Sequence, residues 1–167
     1  DDGVWILELS YLPLFLNQLT YDQACHEHVT YYGLTQIKYL CDIVNLKILD
    51  VKFNDINGGS FYLFISKKKS SLLSNKKLIN KILNEEKFIL NFDSYKKFKN
   101  RVQGHKLELV SLINWLKKSK KKIYGYGAST KGNIVINYCN FDHKDIIAIA
   151  DKNPEKDGLF TPGSRIP

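Results

Sequence analysis

The stretch from Lys122 to Asp151 constrains the fold more than any other part of this sequence. It reads as a short strand at 122–126, a glycine-bearing loop at 127–132, a helix at 133–139 and an apolar strand at 146–150. A strand, a glycine turn, a helix and a second strand make a βαβ unit, whose strands lie parallel in one sheet. The sequence therefore predicts an α/β domain in its carboxy-terminal part.

The amino-terminal part predicts the end of another α/β domain. An apolar run suggests a buried strand, Thr35 can cap a helix, and two further strands flank an Asn-Gly-Gly turn and pair as a broad hairpin. This order is typical of the last third of a doubly wound domain with an antiparallel edge strand. The predicted elements are strand 4–9, helix 35–44, strand 46–53, turn 54–59, strand 60–66, helical segments in 72–99 and an amphipathic helix at 107–116.

Charge is concentrated in the middle of the chain. The net charge is +8, and residues 67–122 alone hold 17 of the 25 basic residues against 4 acidic ones. A basic block can bind nucleic acid, but 23 of the 25 basic residues are lysine, whereas arginine is the better reader of phosphates and bases. We therefore expect a solvated lysine face and no nucleic-acid partner.

The three cysteines are far apart and form no CxxC pair, which favours a reducing cytoplasm. We find neither a signal peptide nor an apolar run of the ~20 residues needed to span a membrane, so no membrane association is expected. The chain contains no methionine and begins Asp1-Asp2-Gly3. We interpret it as a piece of a longer protein.

The glycine loop, Gly125-Tyr126-Gly127-Ala128-Ser129-Thr130-Lys131-Gly132, fits neither common nucleotide motif. A dinucleotide loop needs a third glycine where Thr130 stands, and a phosphate loop needs Lys-Ser/Thr after Gly132. Backbone amides at a helix start, two hydroxyls and Lys131 could still bind an anion. A tight turn that binds nothing is the equal alternative.

A second candidate site is the stretch Cys25-His26-Glu27-His28. Its HxH spacing allows a two-histidine metal site, but no third ligand is near in the sequence. A Cys25 nucleophile, a hydrogen-bonded loop and general acid–base catalysis by a histidine that Glu27 orients are the other interpretations. Composition does not choose among them.

Several stretches together resemble one family, the S-adenosylmethionine-dependent C-methyltransferases of nucleotide-linked keto-deoxysugars. The resemblance lies in five segments: Tyr21-Asp22-Gln23-Ala24-Cys25-His26-Glu27-His28, Tyr31-Tyr32, Asn54 to Ser60, Gly125 to Asn133, and Ala150 to Pro154 continued by Thr161-Pro162-Gly163. Together they span most of the chain, and residues 67–120 match only in general character.

The resemblance implies a three-part enzyme with an amino-terminal zinc module, a class I methyltransferase domain of Rossmann-like fold, and a second Rossmann-like domain. Residues 1–68 would be the last third of the methyltransferase domain, and 69–167 the first part of the substrate-binding domain. The S-adenosylmethionine loop and the zinc module would lie outside this sequence, so the fragment alone is expected to be inactive.

The resemblance also implies roles for residues. His28 would be the base that removes a proton from carbon beside a ketone, with Glu27 and His26 assisting. The nucleotide sugar would be contacted by Cys25, where some relatives have tyrosine, and by Tyr32, Ser129, Thr130 and Lys131.

The main alternative is a nicotinamide-dependent oxidoreductase domain. It rests on the glycine loop and on Asp151, which stands about where a ribose-binding acid would follow the second strand. It leaves the histidine motif unexplained.

Overall fold

The computed structural model describes residues 2–55 and 58–167. Their elements, in chain order, are β1 (Val4–Ser10), α1 (Leu12–Gln18), α2 (Leu34–Ile43), β2 (Leu46–Asn54), β3 (Ser60–Lys67), α3 (Lys76–Ile89), α4 (Phe92–Lys118), β4 (Tyr124–Tyr126), α5 (Thr130–Cys139) and β5 (Ala148–Ala150), with 3₁₀ turns at Tyr21–Gln23 and Pro154–Lys156. The chain is thus a mixed α/β protein. Among the described helices, none has the length and apolarity to cross a membrane. Of the predicted turn 54–59, residues 56 and 57 lie outside the described residues.

The first sheet has the order β1-β3-β2, and β3 runs antiparallel to both neighbours. β1 and β2 are therefore parallel to each other. The predicted hairpin of β2 and β3 is confirmed, but the prediction that β3 forms the edge is wrong. β3 carries the most buried side chains of the sheet, with Phe61 and Leu63 at 0% and Ile65 at 1% exposure, because it has a strand on each side.

The inward face of β2 departs from simple alternation. Ile48 pairs with Ile65, and the next paired residue is Asp50, so the register shifts at this point. A β-bulge inserts one extra residue and re-aims the side chains that follow. Ile48 and Val51 are consequently both buried although they are three residues apart. Phe53 lies on the same face, opposite Phe61 and with its ring 5.0 Å from that of Tyr11, and stays 46% exposed near the end of the strand.

β1 was predicted to be buried, and its first half is not. Val4, Trp5 and Ile6 are each about half exposed, at 46%, 54% and 58%. Within the described residues β1 has a strand, β3, on one side only. The prediction of a strand is confirmed, and the prediction of burial is wrong for this half.

Helix α2 begins differently from the prediction. Its N-cap is Gly33 rather than Thr35, and the carboxylate of Glu86 on α3 accepts hydrogen bonds from the backbone N–H groups of Leu34 and Thr35 at 2.5 and 2.8 Å. The Thr35 hydroxyl also donates to Glu86, which is 1% exposed. A charge from another helix thus closes this helix start, since the N-terminal amides of a helix have no partner within it.

The carboxy-terminal elements confirm the predicted βαβ unit. β4 and β5 are parallel, with Tyr124 opposite Ala148 and Tyr126 opposite Ala150, and α5 connects them. Their core contains Ile113, Cys139, Phe141, Ile146 and Ile166. The amphipathic helix predicted at 107–116 is the second part of α4, which is 27 residues long.

The chain divides into two compact units that interleave along the sequence. The first holds the described residues up to Thr20 and residues Thr30–Phe98, and the second holds Tyr21–Val29 and Lys99–Pro167. The segment with the histidine motif therefore belongs to the same unit as the glycine loop. The predicted boundary between residues 68 and 69 stays a prediction about domains.

Candidate functional site

Tyr21 anchors the histidine segment within the second unit. Its hydroxyl lies 2.9 Å from Nδ1 of His105 on α4, and its ring meets Tyr138 on α5 edge-on at 5.5 Å. Tyr21 is 8% exposed, and this burial raises the pKa of its hydroxyl to about 12. The phenol therefore stays protonated at neutral pH and can serve as a donor to the ring of His105.

The turn after Tyr21 fixes the ring of His28. The backbone carbonyl of Gln23 lies 2.9 Å from Nδ1 of His28 and also accepts the N–H of Cys25 at 2.8 Å, and the His28 N–H bonds back to the Cys25 carbonyl at 3.0 Å. A carbonyl oxygen can only accept, so Nδ1 carries the hydrogen in this contact. In the neutral ring Nε2 is then the basic atom.

Glu27 and His26 lie together at the surface. His26 Nδ1 is 3.3 Å from Glu27 Oε2, and the two side chains are 91% and 58% exposed. A hydrogen bond from its own backbone N–H lowers the pKa of the Glu27 carboxyl, and the Cys25 thiol and the His26 and His28 rings lower it further. Glu27 is thus held as a carboxylate beside two histidines.

The structure gives no third ligand for the two-histidine metal interpretation. Among the described residues, no group of three or more His, Cys, Asp or Glu side chains is arranged to hold an ion. Cys25 is half-buried and its thiol bonds to Glu27 rather than to a histidine base.

Tyr32 belongs to the first unit. Its backbone carbonyl accepts the N–H of Leu12 at 2.9 Å, and it forms an isolated bridge with Tyr11. Its predicted contact with the substrate stays a prediction, because the described contacts of Tyr32 are with its own unit.

The glycine loop is held from both sides at Ala128. The Ala128 N–H donates to Oδ2 of Asp151 at 2.7 Å, and the Ala128 carbonyl accepts from the Lys156 ammonium at 3.0 Å. Lys156 and Asp151 are themselves paired at 2.8 Å. The Lys156 hydrogen bond, followed by the N–H groups of Asn153 and Ala128, lowers the pKa of Asp151 to about 2.

The two contacts of Ala128 with Asp151 and Lys156, called the Ala128 clamp below, lie directly before the start of α5. Ser129 is the N-cap, with its hydroxyl accepting from the Gly132 N–H at 3.2 Å, so the predicted helix start at 133 is three residues late. No partner for the N–H groups of Thr130 and Lys131 is found in the described part of the chain. These two amides, two hydroxyls and one ammonium are suited to an anion, as the sequence suggested.

In the oxidoreductase interpretation Asp151 would bind a ribose, but in the structure it bonds to its own loop. Both of its oxygens are engaged, Oδ2 by Ala128 and Lys156 and Oδ1 by the Asn153 N–H at 2.9 Å. An acid that binds ribose hydroxyls must have accepting capacity to spare. Three of the roughly four accepting positions of this carboxylate are taken by the protein itself, and we derive no step through a dinucleotide at this site.

Sequence reasoning missed several residues that organise the site. No sequence motif marks Lys156 or the backbone carbonyl of Gln23 as part of the site. The contact of Tyr21 with His105 was missed because the two residues are 84 positions apart in the sequence. The order strand, glycine loop, helix, strand placed Asp151 correctly at the end of β5 but did not reveal its partners.

Comparisons with known proteins agree on one chemistry. The family described as C-methyltransferase C-terminal domain matches residues 55–167. The C-methyltransferase NovU from Streptomyces niveus is 29% identical over 168 residues, which cover 99% of this chain and 40% of NovU. The chain thus spans about two fifths of the length of this curated relative.

Proposed function

The chain belongs to the family of C-methyltransferase C-terminal domains, and from this premise we propose that it is part of an S-adenosylmethionine-dependent enzyme that methylates carbon beside a ketone of a nucleotide-linked deoxysugar. The single observation that carries the proposal is the hydrogen bond from His28 Nδ1 to the Gln23 carbonyl. It leaves Nε2 as the base in the neutral ring, on an exposed residue of a turn that Tyr21 anchors.

The chemistry requires such a base. A carbon next to a ketone becomes nucleophilic only after it loses a proton, so the proton moves to His28 Nε2 while the C–H electrons form an enolate. The enolate carbon then forms a C–C bond as the S–CH₃ bond of the donor breaks and a neutral thioether leaves. S-adenosylmethionine supplies the methyl group, and no residue of this chain is assigned to it or to zinc.

Glu27 supports the imidazolium that forms. A carboxylate with a lowered pKa next to His26 and His28 is charged at neutral pH and stabilises positive charge on a neighbouring ring. His26 has the more exposed side chain of the pair and takes the role of an auxiliary group.

The substrate's diphosphate is proposed to bind at Ser129, Thr130 and Lys131. This assignment is supported by the amides of Thr130 and Lys131 at the start of α5 and by the clamp that fixes Ala128. Both this loop and the histidine segment belong to the second unit.

The sheet order supports the finer proposal for the fold. β1 and β2 are parallel and joined by helices, with β3 antiparallel between them, and β4-α5-β5 forms a second parallel unit. We assign both regions to Rossmann-like domains, with residues 1–68 completing a class I methyltransferase domain and 69–167 beginning the substrate-binding domain.

The test uses the full-length enzyme that contains this chain. In D₂O without the methyl donor, the sugar proton next to the ketone should exchange, and His28→Asn should slow this exchange by about 10²- to 10⁴-fold because the general base is lost. NMR of the sugar proton measures the rate.

His26→Asn is the matched control, because His26 lies in the same turn and belongs to the exposed pair with Glu27. We expect its effect to stay below about tenfold, which is short of the ~10²-fold minimum that a general base contributes. Exchange by His28→Asn at more than a tenth of the wild-type rate, in a protein with unchanged circular dichroism, would contradict the proposal.

A further inference from the structure

His105 is a polar residue of α4 that the proposed mechanism does not use. Its side chain is half-buried, and its Nδ1 lies 2.9 Å from the hydroxyl of Tyr21. The two rings also meet edge-on, with centroids 5.7 Å apart and planes at 66°. Because one contact fixes the direction of the hydroxyl and the other fixes the ring, His105 holds Tyr21 in one place.

The hydrogen bond between Tyr21 and His105 has a definite direction. Burial raises the pKa of the Tyr21 phenol to about 12, so the phenol keeps its hydrogen at neutral pH. A neutral imidazole has one N–H group and one acceptor nitrogen, and a phenol that donates to Nδ1 makes Nδ1 the acceptor. His105 then carries its hydrogen on Nε2, whereas His28 carries its hydrogen on Nδ1. The two histidines thus hold opposite tautomers.

Helix α4 also fixes the ring on the other side of Tyr21. The ammonium of Lys106, the residue after His105, lies 4.7 Å from the centroid of the Tyr138 ring, and that ring meets Tyr21 edge-on at 5.5 Å. A cation over the face of a ring favours one position of the ring. Consecutive residues of α4 therefore hold the two tyrosines, and His105 is the partner found for the Tyr21 hydroxyl among the described residues.

The position of Tyr21 is linked to the carbonyl that holds His28. Tyr21 begins the 3₁₀ turn Tyr21–Gln23, and its own carbonyl accepts the N–H of Ala24 at 3.0 Å. The Gln23 carbonyl lies 2.9 Å from Nδ1 of His28, and Gln23 is 2% exposed. Because this short turn is buried at both ends, a shift of Tyr21 is passed on to the Gln23 carbonyl.

We propose that His105 is a positioning residue for the base: it fixes Tyr21, and through the turn that follows it sets the direction in which His28 presents Nε2. The proposal rests on the proposed function, because His105 acts through the residue assigned there as the base. Loss of His105 should therefore slow proton transfer without weakening the binding of the sugar nucleotide. A role in stability alone would leave the rate of the folded enzyme unchanged.

The test measures kcat and KM for exchange of the sugar proton in D₂O, with the full-length enzyme that contains this chain. His105→Leu removes the acceptor of the Tyr21 hydroxyl. We expect kcat to fall by about 10- to 100-fold, the scale of a reacting group misplaced by about 1 Å, while KM stays within about twofold. His105→Asn keeps an acceptor near the position of Nδ1 and should recover kcat to within about threefold of wild type, because the hydrogen bond is retained.

Tyr21→Phe removes the same hydrogen bond from the other side and keeps the ring, so it tests the proposal even if His105→Leu does not fold. Its loss of kcat should be similar, and the double variant should lose little more than either single variant, because both changes remove one interaction. His143→Leu is the matched control, since His143 is an exposed histidine of the same unit. Its kcat should equal that of wild type.

A spectroscopic signature separates positioning from stability. In enzyme labelled with ¹⁵N-histidine, the ring nitrogen shifts report which nitrogen carries the hydrogen. In wild type we expect the hydrogen on Nδ1 of His28 and on Nε2 of His105. In His105→Leu and in Tyr21→Phe, the His28 ring should become a mixture of both tautomers.

Three results would overturn the proposal. They are wild-type kcat in Tyr21→Phe or in folded His105→Leu, a His105→Asn enzyme no faster than His105→Leu, and a loss that appears in KM alone. If His28→Asn abolishes exchange while Tyr21→Phe and His105→Leu keep wild-type kcat, only the positioning proposal is wrong. If His28→Asn still exchanges the proton while His105→Leu mixes the His28 tautomers, the positioning of His28 stands and its assignment as the base is wrong.

Discussion

The starts of helices α2 and α5 differ in where their first amides find an acceptor. At α2 the N–H groups of Leu34 and Thr35, the first two helical residues, both donate to the carboxylate of Glu86. At α5 the corresponding residues are Thr130 and Lys131, whose N–H groups have no acceptor in the described part of the chain. One helix start is closed by the protein's own anion, and the other is suited to an anion from outside.

This difference shows what a helix start needs in order to be structural or functional. At α2 the anion comes from a buried residue of α3, so the contact contributes to the core of the first unit. At α5 the carboxylate of Asp151 engages Ala128 instead and leaves the first two helical amides for another partner. The same backbone chemistry thus contributes to stability at one site and is proposed to serve recognition at the other.

The largest expected effect comes from opening the closed helix start. Glu86→Ala removes the acceptor of two backbone N–H groups and of the Thr35 and Tyr11 hydroxyls, at a residue that is 1% exposed. We expect the free energy of unfolding to fall by about 2–4 kcal/mol, measured by urea denaturation.

Glu85→Ala is the control for that change, because Glu85 adjoins Glu86 on α3 and the contact of its side chain found within the described residues is an exposed ion pair with Lys81 at 3.8 Å. Its cost should stay within about 0.5 kcal/mol. If the two variants lose the same stability, Glu86 does not close the helix start.

A smaller effect, on anion binding, is expected when the loop before α5 loses the carboxylate of Asp151. Asp151→Asn should weaken thymidine diphosphate binding by about tenfold, the scale of one charge-assisted hydrogen bond, because the loop at Ala128 loses its clamp. Removal of a negative charge near an anion site would, by electrostatics alone, strengthen binding. Calorimetry that finds tighter binding would therefore show that Asp151 acts by its charge and not by positioning the loop.

The smallest effect concerns acid stability. The pKa of Asp151 is lowered to about 2 in the folded chain, against about 3.9 for an unperturbed aspartate. Its stabilising contribution is therefore complete above pH ~4 and is lost as the pH falls towards 2. The difference in urea midpoint between wild type and Asp151→Asn should shrink over this window.

Asp157→Asn serves as the control for the acid titration, because Asp157 lies in the same loop and no partner for its side chain is found within the described residues. Its urea midpoint should track that of the wild type at every pH. A difference between wild type and Asp151→Asn that persists undiminished to pH 2 would contradict the role assigned to the carboxylate.

The sequence was sufficient for those features that depend on neighbouring residues. The βαβ order of residues 122–151 and the β2–β3 hairpin both follow from local patterns, and the structure confirms them. Hydrophobic alternation and glycine position carry this information because each acts within a few residues.

Features that depend on distant residues were not predictable in the same way. Thr35 was expected to cap α2, but the cap comes from Glu86, 51 residues away. The bulge after Ile48 lets Ile48 and Val51 share a face despite their odd spacing, and no single residue type marks a bulge. At the candidate site, Asp151 was identified by position, but its engagement by Lys156 depends on how the next loop folds back.

The anchoring of Tyr21 to His105 has a consequence for how the protein is made. A ribosome delivers residues 21–29 long before it delivers helices α4 and α5, which hold Tyr21 through partners 84 and more positions later in the chain. Contacts across such separations form late, because the intervening chain must first be closed into a loop. The hydrogen bonds within residues 23–28 are local and can form early, whereas the anchoring of this turn through Tyr21 is complete only once helices α4 and α5 have been synthesised.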